Sequence, residues 1–334
     1  MVRYAIGRFG IFLLTIVVAI TINFLIIHLT PADPIAAVLG RMLARGQSVA
    51  GGEQIARVYT EAFALDQPLI VQYLLYMRNL LMGDLGYSLS YFPQKVTDVI
   101  LRAVPWSAGL LAFSVLLAFT IGNLLGALAV WKRAPWPLQG LIYFFMTLSA
   151  MPFYLLALIL LYVFAFHFQI FPIGGTFTVG SSREFGLETV LDFLRHATLP
   201  ALSIALGLIG FWALSMRGVM TSVMGEDYLG YARVKGLKER TIFLRYGVRN
   251  ALLPQVTALA IDLGQLMSGQ ILVETIFAYP GVGTVLYNAL RTSDFFVVQG
   301  VVLFVIFAVA FTMMVIDLAY PLLDPRVRYA RSQR

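Results

Sequence analysis

The chain has 334 residues, of which 60% are hydrophobic and 12% charged, and it contains no cysteine. A soluble domain carries about 25% charged residues, so this composition belongs to a polytopic membrane protein, and the missing cysteine excludes disulfides, thiol catalysis and cysteine-ligated metal or iron–sulfur sites. The net charge of +7 is read as basic cytoplasmic segments facing anionic lipid rather than as a nucleic-acid surface.

Arg3 and Arg8 precede an apolar run over residues 9–29, long enough for one span of about 20 residues. A signal peptide has a shorter apolar core and a small-residue cleavage site. Here Thr30, Pro31, Ala32, Asp33 and Pro34 follow, which predicts an uncleaved first span in segment 1–30. Residues 31–105 form an outer segment with amphipathic helices. In it Asp66-Gln67-Pro68 is a helix start, a capping side chain followed by proline where no amide hydrogen is needed. Leu69, Ile70, Tyr73, Leu74, Met77, Leu80 and Leu81 recur at helical spacing, and Gly83 is the stop. A second short amphipathic piece carries Val96, Ile100, Leu101 and Val104 on one side. Both pieces are expected to lie along the membrane surface or against the bundle, not to span.

The second span is expected over 106–131, with Trp106 and Trp131 at its ends, where interfacial rings prefer to sit. Gly122 and Gly126 form a GxxxG pair that lets another helix approach closely. The third span, 141–166, holds Pro152 in its interior, where proline frees a carbonyl and permits a static bend. A second outer loop rich in Gly, Ser and Thr occupies 167–198. The fourth span covers 199–216, with Arg217 at its cytoplasmic end, and the fifth covers 255–277. The turn Ala278 to Gly283 and a short surface helix then lead into the sixth span, 297–320, and a basic tail at 326–334. With the N-terminus inside, fifteen of the 24 Lys and Arg residues fall in cytoplasmic segments, although the outer segments hold more residues; that density fits the positive-inside bias. The expected fold is all-α: six transmembrane helices, both termini cytoplasmic, short extramembrane helices, and a five-helix core over 106–325.

No catalytic constellation stands in the sequence. HExxH is absent, no serine–histidine pairing has a suggestive local motif, and His28, His167 and His196 form no ligand-spaced pair. No GxxxxGK[ST] phosphate loop is present either, so the chain cannot bind ATP in that manner. Asp262, Glu274 and Asp317 are the clear acids between span ends, each costing about 2.5–3.5 kcal/mol at a helix centre. Asp262 and Gln265, followed by Ser268 and Gln270, with Gly269 one further turn along, are spaced to share a face. That strip either lines a solute path or makes interhelical hydrogen bonds, and spacing leaves both open. Glu274 and Asp317 lie near span ends, where water is expected to be close, and are read as structural.

Between the fourth and fifth spans, within a loop at 220–254, the stretch from Glu226 to Pro254 carries six of the 24 basic residues. Glu226 and Asp227 stand at a helix N-terminus, where acids complement the dipole. Tyr228, Tyr231, Ala232 and Lys235 follow at i, i+3, i+4 and i+7, one face of a short helix. Ala232 is small enough for close approach, and Gly236 can take the left-handed conformation that ends a helix. A second helix is expected from Lys238 to Leu253-Pro254, carrying Ile242, Phe243 and Tyr246. Composition alone reads this stretch as a positive-inside loop on lipid headgroups.

The stretch also resembles the cytoplasmic signature loop of ABC importer permeases of the dipeptide/oligopeptide/nickel type. The matching residues are Asp227-Tyr228, Ala232-Arg233, Lys235-Gly236-Leu237, then Arg249-Asn250-Ala251-Leu252 and Pro254. The resemblance runs along nearly the whole chain: Asp33-Pro34, Leu65 to Pro68 and Gly83 to Ser88 early, Glu274 to Phe277, Tyr279 to Gly283 and Asp324-Pro325-Arg326 late. Gly230, Tyr231 and Val234 depart from the usual arginine, threonine and alanine, which bears on the choice of ATPase partner. Phe171 to Gly175 is similar to oligosaccharide-importing members as well.

This resemblance implies a permease subunit, not an enzyme, in the bacterial inner membrane. Its expected partners are a second permease in a heterodimer, two ABC ATPase subunits or domains that use ATP and Mg, and an extracytoplasmic solute-binding protein; no cofactor resides in this chain. It places Asp227, Tyr228, Tyr231, Ala232, Arg233, Lys235, Gly236 and Leu237 in ATPase coupling, with peptides as cargo, or alternatively oligosaccharides or nickel chelates. Two readings of other classes are a proton-coupled secondary transporter using Asp262, with Gln265 and Ser268 lining its path, and a membrane scaffold or sensor.

Overall fold

The computed structural model describes residues 2–29, 40, 60, 67–91, 93–131, 135, 137–178, 180, 186–265 and 270–323. The elements are α1 (Val2–Leu29), α2 (Leu69–Leu81), α3 (Val96–Val130), α4 (Pro137–Ser149), α5 (Phe153–His167) and α6 (Leu187–Met224). They continue with α7 (Asp227–Val234), α8 (Glu239–Thr241, Ile242–Val248 and Arg249–Gln265), α9 (Ile271–Ile276), α10 (Val282–Arg291) and α11 (Phe295–Leu323). The second half of α5 and the Ile242–Val248 stretch of α8 are wound as π-helix. Among the described residues no strand forms; Tyr87 and Lys95 make an isolated bridge.

Among the described residues, four helices are long and apolar enough to cross a membrane: Ile6–Ile26, Val96–Val130, Leu187–Met224 and Phe295–Val315. The pair α4 and α5 makes a fifth if it counts as one broken span. Of the expected fifth span, 255–277, the first part is the helical end of α8, and residues 266–269 lie outside the described ones. At 1.5 Å per residue, α3 and α6 are about 52 and 57 Å long, well beyond the ~30 Å hydrocarbon core. Each therefore carries its chain out of the bilayer.

Three boundaries differ from the sequence reading. The amphipathic piece from Val96 is not separate: α3 runs through Pro105 without a break. The outer loop expected over 167–198 gives up its last part to α6, which starts at Leu187 and runs through a buried Pro200. In both helices neighbouring packing outweighs the one backbone hydrogen bond a proline removes. Pro152 acts in the opposite way. The bend expected at this residue is present, but as a break between two helices: Pro152 is the N-cap of α5, with φ −57° and ψ 143°, and the axis turns by 107° between α4 and α5.

The chain divides into two compact units, residues 1–107 with 280–311, and residues 108–279 with 312–334. In the first, Val96, Ile100 and Ala103 of α3 pack with Val282 and Ala289 of α10 and Val297 and Val301 of α11. Asp294, buried ahead of α11, ties in the 84–91 loop. Its Oδ2 accepts from the Ser88 hydroxyl and from the Ser90 amide at 2.8 Å, and its Oδ1 accepts from the Val297 amide at 3.3 Å. Three donors satisfy this buried carboxylate and offset part of the cost of taking it out of water. Asn23 of α1 donates from Nδ2 to the Gln299 carbonyl at 3.0 Å, and Thr21 of α1 shares a 2.8 Å hydrogen bond with the Tyr73 hydroxyl of α2.

In the second unit α6 is the mast. Gly122 and Gly126 of α3 lie against it as the GxxxG spacing predicts. A Cβ on Gly122 would stand 2.5 Å from the Trp212 Cβ, and one on Gly126 would collide with the Ala213 carbonyl. Phe119 meets the fully buried Trp212 edge-on at 5.0 Å. Gly210 of α6 takes the end of α4, its amide donating to Ser149 Oγ at 3.0 Å.

Candidate functional site

The 226–254 stretch folds into a hairpin that its own side chains hold. α6 ends at Gly225, and Glu226 leaves in extended conformation (φ −69°, ψ 142°) to start α7. Asp227 occupies the first turn of α7 and Arg233 the last, each on the favourable side of the helix dipole. Leu229 and Ala232 are buried against Ile242 of α8 and Met224 of α6. The helix then stops in a Schellman turn. The Gly236 amide donates to the Arg233 carbonyl at 2.9 Å and the Leu237 amide to the Ala232 carbonyl at 3.2 Å. Gly236 has φ +77° and open space where a Cβ would be, so conformation, not crowding, calls for glycine.

Two further contacts close the hairpin. Arg233 Nε and Glu239 Oε1 form an ion pair at 3.2 Å across the turn. Asn250 donates from Nδ2 both to the Tyr228 hydroxyl at 3.0 Å and to the Tyr246 carbonyl at 2.7 Å. Behind it, Phe243 stacks on Trp131 at 5.3 Å in a cluster with Met216, Met220 and Ala251.

The face expected from spacing therefore divides. Ala232 points into the hairpin, and Tyr228, though partly exposed, is pinned by Asn250. What the hairpin presents outward is Tyr231 and Val234, 71% and 89% exposed, with Asp227, Lys235, Gly236 and Leu237 also on the surface. A nearly fully exposed valine beside an exposed tyrosine on one short helix is an unpartnered apolar edge in a polar loop. Sequence reasoning missed Leu229 as the anchor, Asn250 as the pin and Val234 as the most exposed apolar residue of α7. The Leu-x-x-Ala spacing of Leu229 and Ala232, three residues apart with Ile242 following, was the available signal. The expected end of the second helix at Leu253-Pro254 is also corrected, since α8 passes through Pro254 to Gln265.

Asp262 and Gln265 lie on the helical backbone of α8; their side chains and the whole of Ser268 and Gly269 lie outside the described residues. Nearer the start of α8, Gln255 is buried and joins α6, exchanging hydrogen bonds with Ser215 at 3.0 and 3.2 Å. Glu274, expected near water, is instead fully buried on α9. The chain beyond α9 turns at Ala278, a non-glycine with φ +47°. There the Gly175 amide donates to the Phe277 carbonyl at 2.9 Å, so the 170–178 loop sits on the end of α9. Arg195 holds the same loop through the Ile170 carbonyl at 2.7 Å from Nη2, and Asp192 accepts from the Thr178 amide at 2.7 Å and hydroxyl at 2.6 Å. Among the described residues no cluster of three or more His, Asp or Glu could hold a metal ion.

Residues 99–329 match the family described as "Binding-protein-dependent transport system inner membrane component". A putative peptide permease protein of Brucella ovis is 31% identical over 328 residues, covering 98% of this chain and 99% of that protein. A probable D,D-dipeptide transport system permease protein of Escherichia coli K12 is 33% identical over 321 residues, 92% of each chain. A dipeptide transport system permease protein of Bacillus subtilis 168 is 29% identical over 333 residues, 98% of each.

Proposed function

Because the chain belongs to the inner membrane components of binding-protein-dependent transport systems, we propose that it is the permease subunit of an ATP-driven importer that moves peptides by alternating access. A multi-pass place in the bacterial inner membrane comes with that family. In this reading a second permease pairs with the chain, two ATPase subunits or domains bind its cytoplasmic side, and an extracytoplasmic binding protein delivers cargo. ATP and Mg act in the partner ATPases. The family is a transport component, and this chain's part is mechanical.

The observation that carries the reading is the hairpin. Leu229, Ala232, Asn250 and the Schellman turn at Gly236 hold it against the end of α6, yet Tyr231 and Val234 stay exposed. A preordered element binds with little entropy loss, and an exposed apolar edge suits a groove on a soluble partner. Closing of the ATPase pair would then shift α7, and through α8 bias the permeases between two states of access. Peptide cargo is supported by the names of the relatives.

The test uses the whole complex reconstituted with its binding protein. Val234→Asp and Tyr231→Ala are expected to lower transport-coupled ATP turnover at least tenfold while the subunit inserts normally. Gly236→Pro, which cannot take φ +77°, should do the same by breaking the turn. Ala232→Glu would place a carboxylate in the hairpin's own packing, so it reports folding of the element and not docking. Normal stimulated turnover in the Val234 and Tyr231 variants would overturn the proposal, as would uptake by this chain alone on a proton gradient. Binding assays on the receptor with peptides, oligosaccharides and nickel chelates separate the cargo classes.

A further inference from the structure

Beside the hairpin lies a cavity of about 570 Å³ to which the coupling reading gives no part. Val130, Trp131, Met224 and Phe243 make its apolar wall. Phe243 is buried and stacks on Trp131 at 5.3 Å, 19° from parallel, and the cluster with Met216, Met220 and Ala251 fixes it from behind. Val130, Trp131 and Met224 are only partly buried, so they show water an apolar surface that the chain itself leaves uncovered. At the rim Arg233 and Glu239 satisfy each other at 3.2 Å. Residues 233–240 carry four basic side chains, Arg233, Lys235, Lys238 and Arg240, against the single acid Glu239, and all five are exposed. With Arg233 and Glu239 paired, the other three leave the rim positive. The acids Glu226 and Asp227 stand at the opposite end of α7. Val234, 89% exposed, directly follows Arg233, so the exposed edge of α7 adjoins the rim.

From this arrangement we infer that the cavity receives a short acidic, amphipathic segment of the partner ATPase. Its apolar side chains enter against Trp131 and Met224, and its carboxylates meet Lys238 and Arg240. This contact presupposes the coupling reading of the hairpin and adds its converse: the permease edge enters the ATPase, and the ATPase enters the permease. An apolar pocket ringed by polar side chains is the form an interface hot spot takes. Methionine adapts to the shape of what it binds, and opposite charges guide the approach. The space holds several side chains, which makes the occupant a segment of chain and not a single ion or methyl group. Tyr231 and Val234 beside it are already read as ATPase contacts, so one partner covers both surfaces.

The test titrates the permease pair in nanodiscs with its ATPase and reads binding, independently of transport. Thr221 lines the cavity, and its hydroxyl donates within α6, to the Arg217 carbonyl at 2.8 Å. Thr221→Trp therefore fills the space without removing a contact between helices, and it should weaken ATPase binding about tenfold or more. Ser222→Trp puts the same bulk one residue on, outside the cavity wall, and should change binding less than about twofold. Lys238→Glu with Arg240→Glu should slow association about tenfold at low salt and flatten its salt dependence. In the assembled complex, p-benzoylphenylalanine in place of Thr221 should cross-link to one ATPase peptide that combines apolar residues with Asp or Glu. Binding unchanged by Thr221→Trp, or weakened equally by Ser222→Trp, overturns the role of the cavity. Cross-links confined to lipid or to another segment of this chain overturn the occupant. If Tyr231→Ala and Val234→Asp lower coupled turnover while Thr221→Trp binds normally, the coupling reading stands and the cavity contact alone falls.

Discussion

Gly236, Ala278 and Ser293 each occupy the left-handed position after a helix, with φ of +77°, +47° and +51°. All three close the same kind of turn, the next residue's amide reaching back to a carbonyl five residues earlier. Only the first was legible in the sequence, because glycine at a helix end announces its conformation, whereas alanine and serine do not. The left-handed state costs a residue with a Cβ roughly 1–2 kcal/mol, and glycine loses about 0.4–1 kcal/mol through its freer unfolded chain. Gly236→Ala should therefore weaken the hairpin by about 1 kcal/mol, read as faster hydrogen exchange across 227–241. Ala278→Gly should raise stability by about 0.5–1 kcal/mol, read as a higher melting temperature. A fall would show that the Cβ of Ala278 makes packing contacts worth more than its strain.

At the scale of one element, α7 shows why an eight-residue helix is hard to orient from spacing. Tyr228, Tyr231, Ala232 and Lys235 satisfy a helical face as well as Leu229 and Ala232 do. Burial chooses the second pair because leucine and alanine have no polar end to leave in water, while tyrosine and lysine do. Leu229→Ala should cost about 2–3 kcal/mol and open the hairpin to limited proteolysis between α7 and α8. Asn250→Ala, which removes a hydrogen bond worth about 1 kcal/mol, should speed that cleavage about fivefold; equal rates in wild type and variant would mean that Tyr228 is held elsewhere. The π-helical stretch Ile242–Val248 left no trace in the hydrophobic pattern, since one extra residue in a turn changes which side chains face inward without changing their types.

At the scale of the whole chain, hydrophobic runs made four of the six expected membrane helices legible among the described residues, Trp106 lies inside α3 and not at its end, and the GxxxG contact of Gly122 and Gly126 with α6 was readable from spacing. Proline was not. Pro105 and Pro200 continue their helices while Pro152 starts one, and the outcome depends on packing that no local window contains. The absence of cysteine makes single-cysteine labelling a clean test of topology. A cysteine at Val234 should react only with reagent on the cytoplasmic side, and one at the exposed Ile173 only with reagent outside. Reaction of both from the same side would exclude the proposed orientation.

The contact between α3 and α6 also has a consequence in time. Gly122 packs on Trp212 and Gly126 on Ala213, partners made some ninety residues later in the chain. At about 5–20 residues per second, the ribosome leaves α3 waiting roughly 5–18 s before its partner exists. During that interval its small-residue groove faces lipid or the insertion machinery, and α4 and α5 are delivered first. The groove must therefore be kept open while the intervening helices arrive. Biogenesis of the subunit depends on α3 holding off premature partners as much as on its final fit.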